Sequence, residues 1–124
     1  MTDMTDAPDR LDAAKRALKE NRPDAALAEA RAALADTPDN VDALYVAGVA
    51  ARFARRLDEA AALVARLREV APEYGRGWQE AGHLARDRGA AEAAIAAYAR
   101  ACQLNPSLAA GFSAQADLLA ALGR

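Results

Sequence analysis

An all-α repeat of antiparallel helix pairs is the fold class that the sequence predicts, on its proline spacing, its in-phase small residues and its composition. Pro38, Pro72 and Pro106 lie 72 − 38 = 34 and 106 − 72 = 34 residues apart. The same interval separates Ala26, Ala60 and Ala94; Ala17, Ala51 and Ala85; Gly48 and Gly82; and the large residues Leu44, Trp78 and Phe112. Self-similarity at a fixed period of about 20–50 residues marks stacked supersecondary units. Composition agrees, because the chain is 53% hydrophobic but only 5% aromatic and rich in alanine. Small, helix-favouring residues suit close-packed helices better than sheets.

Seven helices are expected, over residues 8–21, 23–36, 40–54, 57–70, 74–88, 91–104 and 108–122. Pro23 suits a first helical turn, where its missing N–H costs nothing. Asp39-Asn40 and Ser107 are good N-caps, since their side-chain oxygens accept from orphan N–H groups. Gly89 and Gly123 suit helix ends, where the backbone turns left-handed. On the first helix of a pair, Gly48 and Gly82 are expected to face Ala60 and Ala94 on the second, bringing the two axes to the short end of the usual packing distance.

These residues carry a resemblance to the tetratricopeptide repeat family, whose pattern runs from a Trp-like residue through Leu-Gly, a Tyr-like position, an Ala, a Phe-like position and a closing Pro. The unit at 75–106 matches best, with Trp78, Ala81-Gly82, Gly89, Ala94, Tyr98, Ala101 and Leu104-Asn105-Pro106. The unit at 41–72 offers Leu44, Ala47-Gly48, Ala60, Val64, Leu67 and Pro72. The unit at 7–38 keeps the spacing but has Arg10 in the place of Trp78, Ala14 in that of the glycine and Ala30 in that of Tyr98, which suits a terminal capping repeat. The resemblance implies a right-handed α-solenoid of about three units, preceded by a disordered leader at 1–6. A C-terminal helix follows at 107–124, as a cap or as half of a fourth unit. A scaffold for protein or peptide partners is the function it implies.

A solvating end helix should be polar outward, yet Leu118, Leu119 and Leu122 give this one an apolar face. Large uncovered apolar faces mark interfaces, so either a homodimer forms through this helix or the sequence is cut from a longer array. Similar alanine-rich arrays precede sulfotransferase-like domains, which makes an accessory segment of a larger enzyme the alternative. The doubled Met-Thr-Asp at the start leaves Met1 and Met4 as rival initiation sites.

Charge excludes some partners. Sixteen basic against 18 acidic residues, a net charge of −2, give no field to draw the chain onto nucleic acid or an anionic membrane. Neither a signal peptide nor an apolar run of about 20 residues is present. Cys102 is the single cysteine, so no internal disulfide forms and a reducing cytoplasm is expected. The abundance of Ala and Arg with little Lys points to a bacterial, GC-rich source.

In the family the first helices line a concave groove, and this implies ligand-facing positions at Leu11, Asp12, Lys15, Asp42, Tyr45, Val46, Val49, Phe53, Arg76, Gln79, Glu80 and His83. Tyr45, Val49 and Phe53 stand at i, i+4 and i+8, which draws an apolar stripe along one helix face, suited to a peptide or to packing on neighbouring helices. Arg52 and Arg86 occupy equivalent positions one repeat apart and are candidates for a basic rim, unless Asp58, Glu59 and Asp87 neutralise it. Co-chaperone members hold a terminal carboxylate with lysine, asparagine and arginine. Here Leu11, Val46 and Glu80 stand at such positions, leaving only Lys15 and Arg76, so that clamp is not expected.

No catalytic, metal or cofactor site is expected. His83 is the only histidine, which removes mechanisms needing a second imidazole or a nucleophile beside it. Cys102 is expected inside as a small hydrophobe. Gly75-Arg76-Gly77 lacks the third glycine and the preceding strand of a phosphate loop and is expected to be the turn between units. Glu69 and Glu73 have nothing to desolvate them.

Overall fold

A computed structural model, described here for residues 7–123, places seven helices along these residues and no strand. They are α1 (Ala7–Lys19), α2 (Pro23–Asp36), α3 (Val41–Phe53), α4 (Leu57–Val70), α5 (Gly75–Asp87), α6 (Ala91–Leu104) and α7 (Ala109–Ala121). The expected leader at 1–6 lies outside the described residues, as do Arg124 and the side chain of Phe112. The chain divides into two compact units, one ending at Val70 and one beginning at Ala71.

Two kinds of turn join the helices, and each recurs with the period of the sequence. The first is a β-turn closed by hydrogen bonds from Asn40 N to Thr37 O, Tyr74 N to Ala71 O and Leu108 N to Asn105 O, each 3.1 Å long. Pro38, Pro72 and Pro106 occupy its second position, where proline's fixed φ is already correct. The second turn reverses the chain within a helix pair. Arg22 N bonds to Ala17 O (2.8 Å), Arg56 N to Ala51 O (2.9 Å) and Ala90 N to Ala85 O (2.8 Å). Asn21 N, Arg55 N and Gly89 N meanwhile reach back to Leu18 O, Arg52 O and Arg86 O at 3.0 Å each. This pair of bonds satisfies carbonyls that a helix end would otherwise orphan. It requires a left-handed residue, and the positive φ angles fall at Asn21 (59°), Arg55 (63°), Gly89 (79°) and Gly123 (76°), each 34 residues after the last. Gly89 and Gly123 are the expected terminators; Asn21 and Arg55 do the same work without being glycine.

Capping divides the two expected sites. Asn40 is the N-cap of α3, its Oδ1 accepting from Ala43 N at 2.9 Å. Ser107 is not an N-cap: Leu108 holds that position for α7, with no side-chain cap bond. Ser107 N instead donates to Asn105 Oδ1 at 3.1 Å, because Asn105 sits two residues earlier and closes a local turn. Gly75 and Gly77 are likewise not a loop between units; both are buried in the first turn of α5.

In the first unit α1 packs on α2, α2 on α3 and α3 on α4, with α1 also meeting α3. Its core is mostly alanine, filled out by Leu27, Leu44, Val64 and Leu67. Ion pairs cross its surface: Arg31 of α2 binds Glu59 of α4 with both Nε and Nη2, and Arg66 of α4 binds Asp39 with Nε at 3.1 Å. In the second unit α6 packs on both α5 and α7 around the fully buried Tyr98. Trp78 is half-buried, and its indole N–H donates to Pro72 O at 2.9 Å, tying α5 to the turn before it.

Ala60 and Ala94 are fully buried, but Gly48 does not face Ala60. A Cβ built on Gly48 would meet Val64 Cγ2 at 3.2 Å, and one on Gly82 would meet the Tyr98 ring at 2.6 Å. Val64 and Tyr98 lie four residues beyond the alanines, on the same face of their helices.

Candidate functional site

Each compact unit carries its own share of the expected groove positions. In the first, Lys15 of α1 is exposed and donates to Asp42 Oδ2 of α3 at 3.2 Å. Its charge is therefore already partnered. Leu11 and Asp42 help line a cavity of about 200 Å³ with Pro8, Ala33, Thr37, Asn40 and Ala43.

Tyr45 and Val49 are half-buried, whereas Phe53 is 56% exposed. Val49 and Phe53 join Leu18, Asn21 and Pro23 around a smaller cavity of about 90 Å³. Arg52 is only 8% exposed and holds its guanidinium 4.6 Å from the centre of the Phe53 ring. It is a buried cation against an aromatic face rather than part of an open rim. Val46 and Glu80, carried over as ligand-facing, are buried as well, at 4% and 2%. One residue is about 100° of arc on a helix, which turns Val46 away from the line through Tyr45 and Val49, and Glu80 away from Gln79.

In the second unit Arg76 is exposed, and Gln79 and His83 are half-buried. His83 Nδ1 and the Tyr98 hydroxyl lie 2.7 Å apart, their rings edge-to-face with centroids at 5.3 Å. The imidazole is thereby pinned to the core residue that also covers Gly82. Arg86 bonds to Asp87 Oδ1 through Nε and Nη2 at 3.3 and 3.2 Å. Glu59, another of the three expected neutralisers, pairs with Arg31 instead.

The largest of the cavities described here lies in this unit. A cleft of about 360 Å³ runs between α5 and α7, lined by His83, Arg86, Ser113, Ala114, Asp117 and Leu118. Its walls combine a cation, a carboxylate, an imidazole and a hydroxyl with two apolar side chains. Polypeptide ligands meet such mixed surfaces through hydrogen bonds for orientation and apolar contact for affinity. Ser113 and Asp117 escaped the sequence reading, although the period finds them: 79 + 34 = 113 and 83 + 34 = 117 carry Gln79 and His83 onto α7. Leu118, expected at a dimer face, is in the cleft wall and half-buried; Leu119 is half-buried, and Leu122 is 40% exposed.

Among the described residues no group of three His, Cys, Asp or Glu side chains is arranged to hold a metal ion. None of the described helices is long and apolar enough to cross a membrane. Cys102 is buried, and that burial pushes its thiol above the ordinary range.

Several solved structures share this fold. MamA superposes with a TM-score of 0.86 at 16% identity, over 98% of this chain and 71% of its own. The first TPR of Spaghetti (RPAP3), bound to an HSP90 peptide, gives a TM-score of 0.87 at 15% identity over 99% of this chain and 98% of its own. A mutant O-GlcNAc transferase of Thermobaculum terrenum gives 0.86 at 22% identity over 96% of this chain, which spans only 23% of that enzyme. At such identities the likeness is one of fold. No curated protein matches the chain in sequence. The tetratricopeptide repeat profile matches residues 11–72 and again residues 48–109. With most of its length so matched, the chain belongs to the tetratricopeptide repeat family.

Proposed function

We propose that the chain is a non-catalytic scaffold that binds a protein or peptide partner, and that the cleft between α5 and α7 is its principal ligand site. Repeat units at 7–38, 41–72 and 75–106 followed by a helix at 107–124 are part of this reading. The observation that carries it is the cleft itself: two helices equivalent in the repeat leave about 360 Å³ between them, walled by Arg86, Asp117, His83 and Ser113. Charges of both signs suit an extended polypeptide, whose carboxylate and ammonium side chains Arg86 and Asp117 would meet. The peptide held by the structurally similar RPAP3 domain supports a peptide as the class of ligand. A chaperone tail is not the ligand proposed, since Val46 and Glu80, at positions such a clamp would use, are buried.

Peptide-display selection on the full chain tests this, followed by titration of an enriched peptide against Arg86→Glu and Asp117→Lys. Each variant should weaken binding by about tenfold, the loss of one charge-assisted contact. If enriched peptides bind both variants as they bind the wild type, the cleft is not the site.

The alternative, an accessory segment of an enzyme, draws support from the transferase of similar fold, in which a region of this size is a minor part of the chain. Reading the gene beyond the codon for Arg124 separates the two: a catalytic domain in frame favours the accessory role.

A further inference from the structure

We infer that Tyr98 is a positioning residue for the α5–α7 cleft: it fixes His83 as a hydrogen-bond donor there, so that the α5 wall takes an acceptor oxygen of the bound peptide. This rests on the reading that the cleft binds a polypeptide, and it names the group of the ligand that His83 meets.

The pair is built across α5 and α6. Gly82, just before His83, lets the Tyr98 ring lie against α5, since a Cβ there would stand 2.6 Å from Cδ1 and Cε1. The ring is fully buried, and its hydroxyl lies 2.7 Å from His83 Nδ1. A ring packed so closely holds its hydroxyl in one place, and the imidazole is turned to meet it. One repeat earlier, Val49 and Val64 stand in the places of His83 and Tyr98, since 83 − 34 = 49 and 98 − 34 = 64. There α3 packs on α4 all the same. The helix pair therefore forms without this hydrogen bond, and the polar pair occurs in the unit where His83 lines a cleft.

Acid–base chemistry sets the direction of the bond. A phenol O–H, with a pKa of about 10, is a far stronger acid than a neutral imidazole N–H, and an imidazole nitrogen is a stronger base than a phenol oxygen. The hydroxyl therefore donates and Nδ1 accepts. A neutral imidazole that accepts at Nδ1 carries its proton on Nε2. The two nitrogens point to nearly opposite sides of the ring, so with Nδ1 toward α6 the Nε2–H is turned away from it, and His83 offers the cleft a donor. Arg86 follows at i+3 on the same helix face, and the α5 wall thus presents an imidazole N–H and a guanidinium, opposite the Asp117 carboxylate on α7. Whatever partner the Nε2–H has in the unliganded chain is exchanged on binding for a carbonyl or carboxylate oxygen of the peptide.

Because His83 is the only histidine, nitrogen NMR of the labelled full chain reads its tautomer directly. At about pH 8, where an ordinary imidazole is neutral, the wild type should carry its proton on Nε2. Tyr98→Phe keeps the ring and removes the hydroxyl; it should lower the ratio of Nε2–H to Nδ1–H by about fivefold, the loss of one hydrogen bond. A dominant Nδ1–H form, or a ratio that Tyr98→Phe leaves unchanged, overturns the inference. Binding is then read by fluorescence anisotropy with a display-enriched peptide that Arg86→Glu weakens. His83→Gln places an amide N–H where Nε2 was and should bind within about twofold of the wild type, whereas His83→Asn and His83→Leu should each bind about tenfold more weakly. Equal binding by the wild type and the Gln, Asn and Leu variants overturns the inference and leaves the cleft reading standing, since the peptide still depends on Arg86. Failure to enrich any peptide that depends on Arg86 overturns both. Changing the acidic residues of the peptide to alanine separates the two sources of oxygen. A loss on His83→Asn that persists gives the bond to a main-chain carbonyl, and one that disappears gives it to a carboxylate.

Discussion

Replacing Gly82 with alanine adds one methyl group, and the structure says that there is no room for it. The new Cβ would lie 2.6 Å from both Cδ1 and Cε1 of Tyr98 and 3.0 Å from Cγ. To restore ordinary contact the ring must retreat by about 1 Å, in a core packed to crystal density. Tyr98 has no exposed surface, and its hydroxyl is held 2.7 Å from His83 Nδ1, so a rigid side chain is wedged and its hydrogen bond stretched. Overpacking costs about 1–3 kcal/mol and a weakened hydrogen bond about 1 kcal/mol. Against this stands about 1 kcal/mol gained by replacing glycine inside a helix. The net expectation is a loss of roughly 2 kcal/mol, or about 6–10 °C in Tm for a chain of this size. Gly48→Ala is the internal control: its Cβ would meet Val64 Cγ2 at 3.2 Å, a few tenths of an ångström too close, so strain and helix propensity should cancel to within about 0.5 kcal/mol. The assay is urea unfolding of both variants, with amide exchange of α5 and α6 to localise the effect, since two compact units permit stepwise opening. Tyr98→Val copies the residue found one repeat earlier and should abolish most of the penalty in a double-mutant cycle. Equal costs for Gly82→Ala in the Tyr98 and Val backgrounds, or a Gly48→Ala as damaging as Gly82→Ala, would refute the argument.

Other substitutions test the turns, the surface and the thiol. Asn40→Ala should cost about 1 kcal/mol in urea unfolding through loss of the bond to Ala43 N, while Asn40→Asp should cost little. Arg55→Gly should stabilise by up to about 1 kcal/mol, because Arg55 holds φ at 63° and glycine adopts that conformation without strain. Gly89→Ala should destabilise by a similar amount. The Arg31 guanidinium hydrogen-bonded to Glu59 holds that carboxyl below the usual carboxylate range, against an opposing push from burial. The wild type should therefore exceed Glu59→Gln in stability above the unfolded carboxylate pKa of about 4.3. That advantage should vanish as pH falls through the lower folded value. Both side chains are partly exposed, at 47% and 33%, so urea midpoints at pH 7 and pH 3 should reveal no more than about 1 kcal/mol. Cys102, buried with a raised thiol pKa, should react with a thiol-disulfide reagent at neutral pH only after urea unfolding.

How much of this was legible depends on whether a residue type or a tertiary environment makes the decision. Pro38, Pro72 and Pro106 are visible because the β-turn rewards that side chain at one position. Gly89 announces a left-handed helix end, but Arg55 performs the same reversal at φ 63°, a strain that only the folded hydrogen bonds explain. Ser107 looks like an N-cap by type and loses the role because Asn105 reaches it first. At the proposed cleft, the family resemblance named His83 but not Ser113 and Asp117 of α7, although adding one period to Gln79 and His83 reaches them. Burial of Val46, Glu80 and Arg52 was not legible, because residues facing a groove and residues one step round the helix differ by an angle rather than by composition.

The contrast between repeated and unrepeated positions carries a functional argument of its own. Some packing and turn positions keep their identity through the periods, as Ala26, Ala60 and Ala94, each fully buried, and the three prolines do, whereas the equally buried Ala30, Val64 and Tyr98 and the left-handed Asn21, Arg55 and Gly89 do not. Where the first helices meet solvent or a cavity, identity is lost in the same register. Leu11, Tyr45, Gln79 and Ser113 form one such series, and Lys15, Val49, His83 and Asp117 another. Their chemistry runs from apolar through aromatic to cationic and anionic. A surface that changes character at every period is suited to a ligand of non-repeating sequence, which agrees with the polypeptide partner proposed for the α5–α7 cleft.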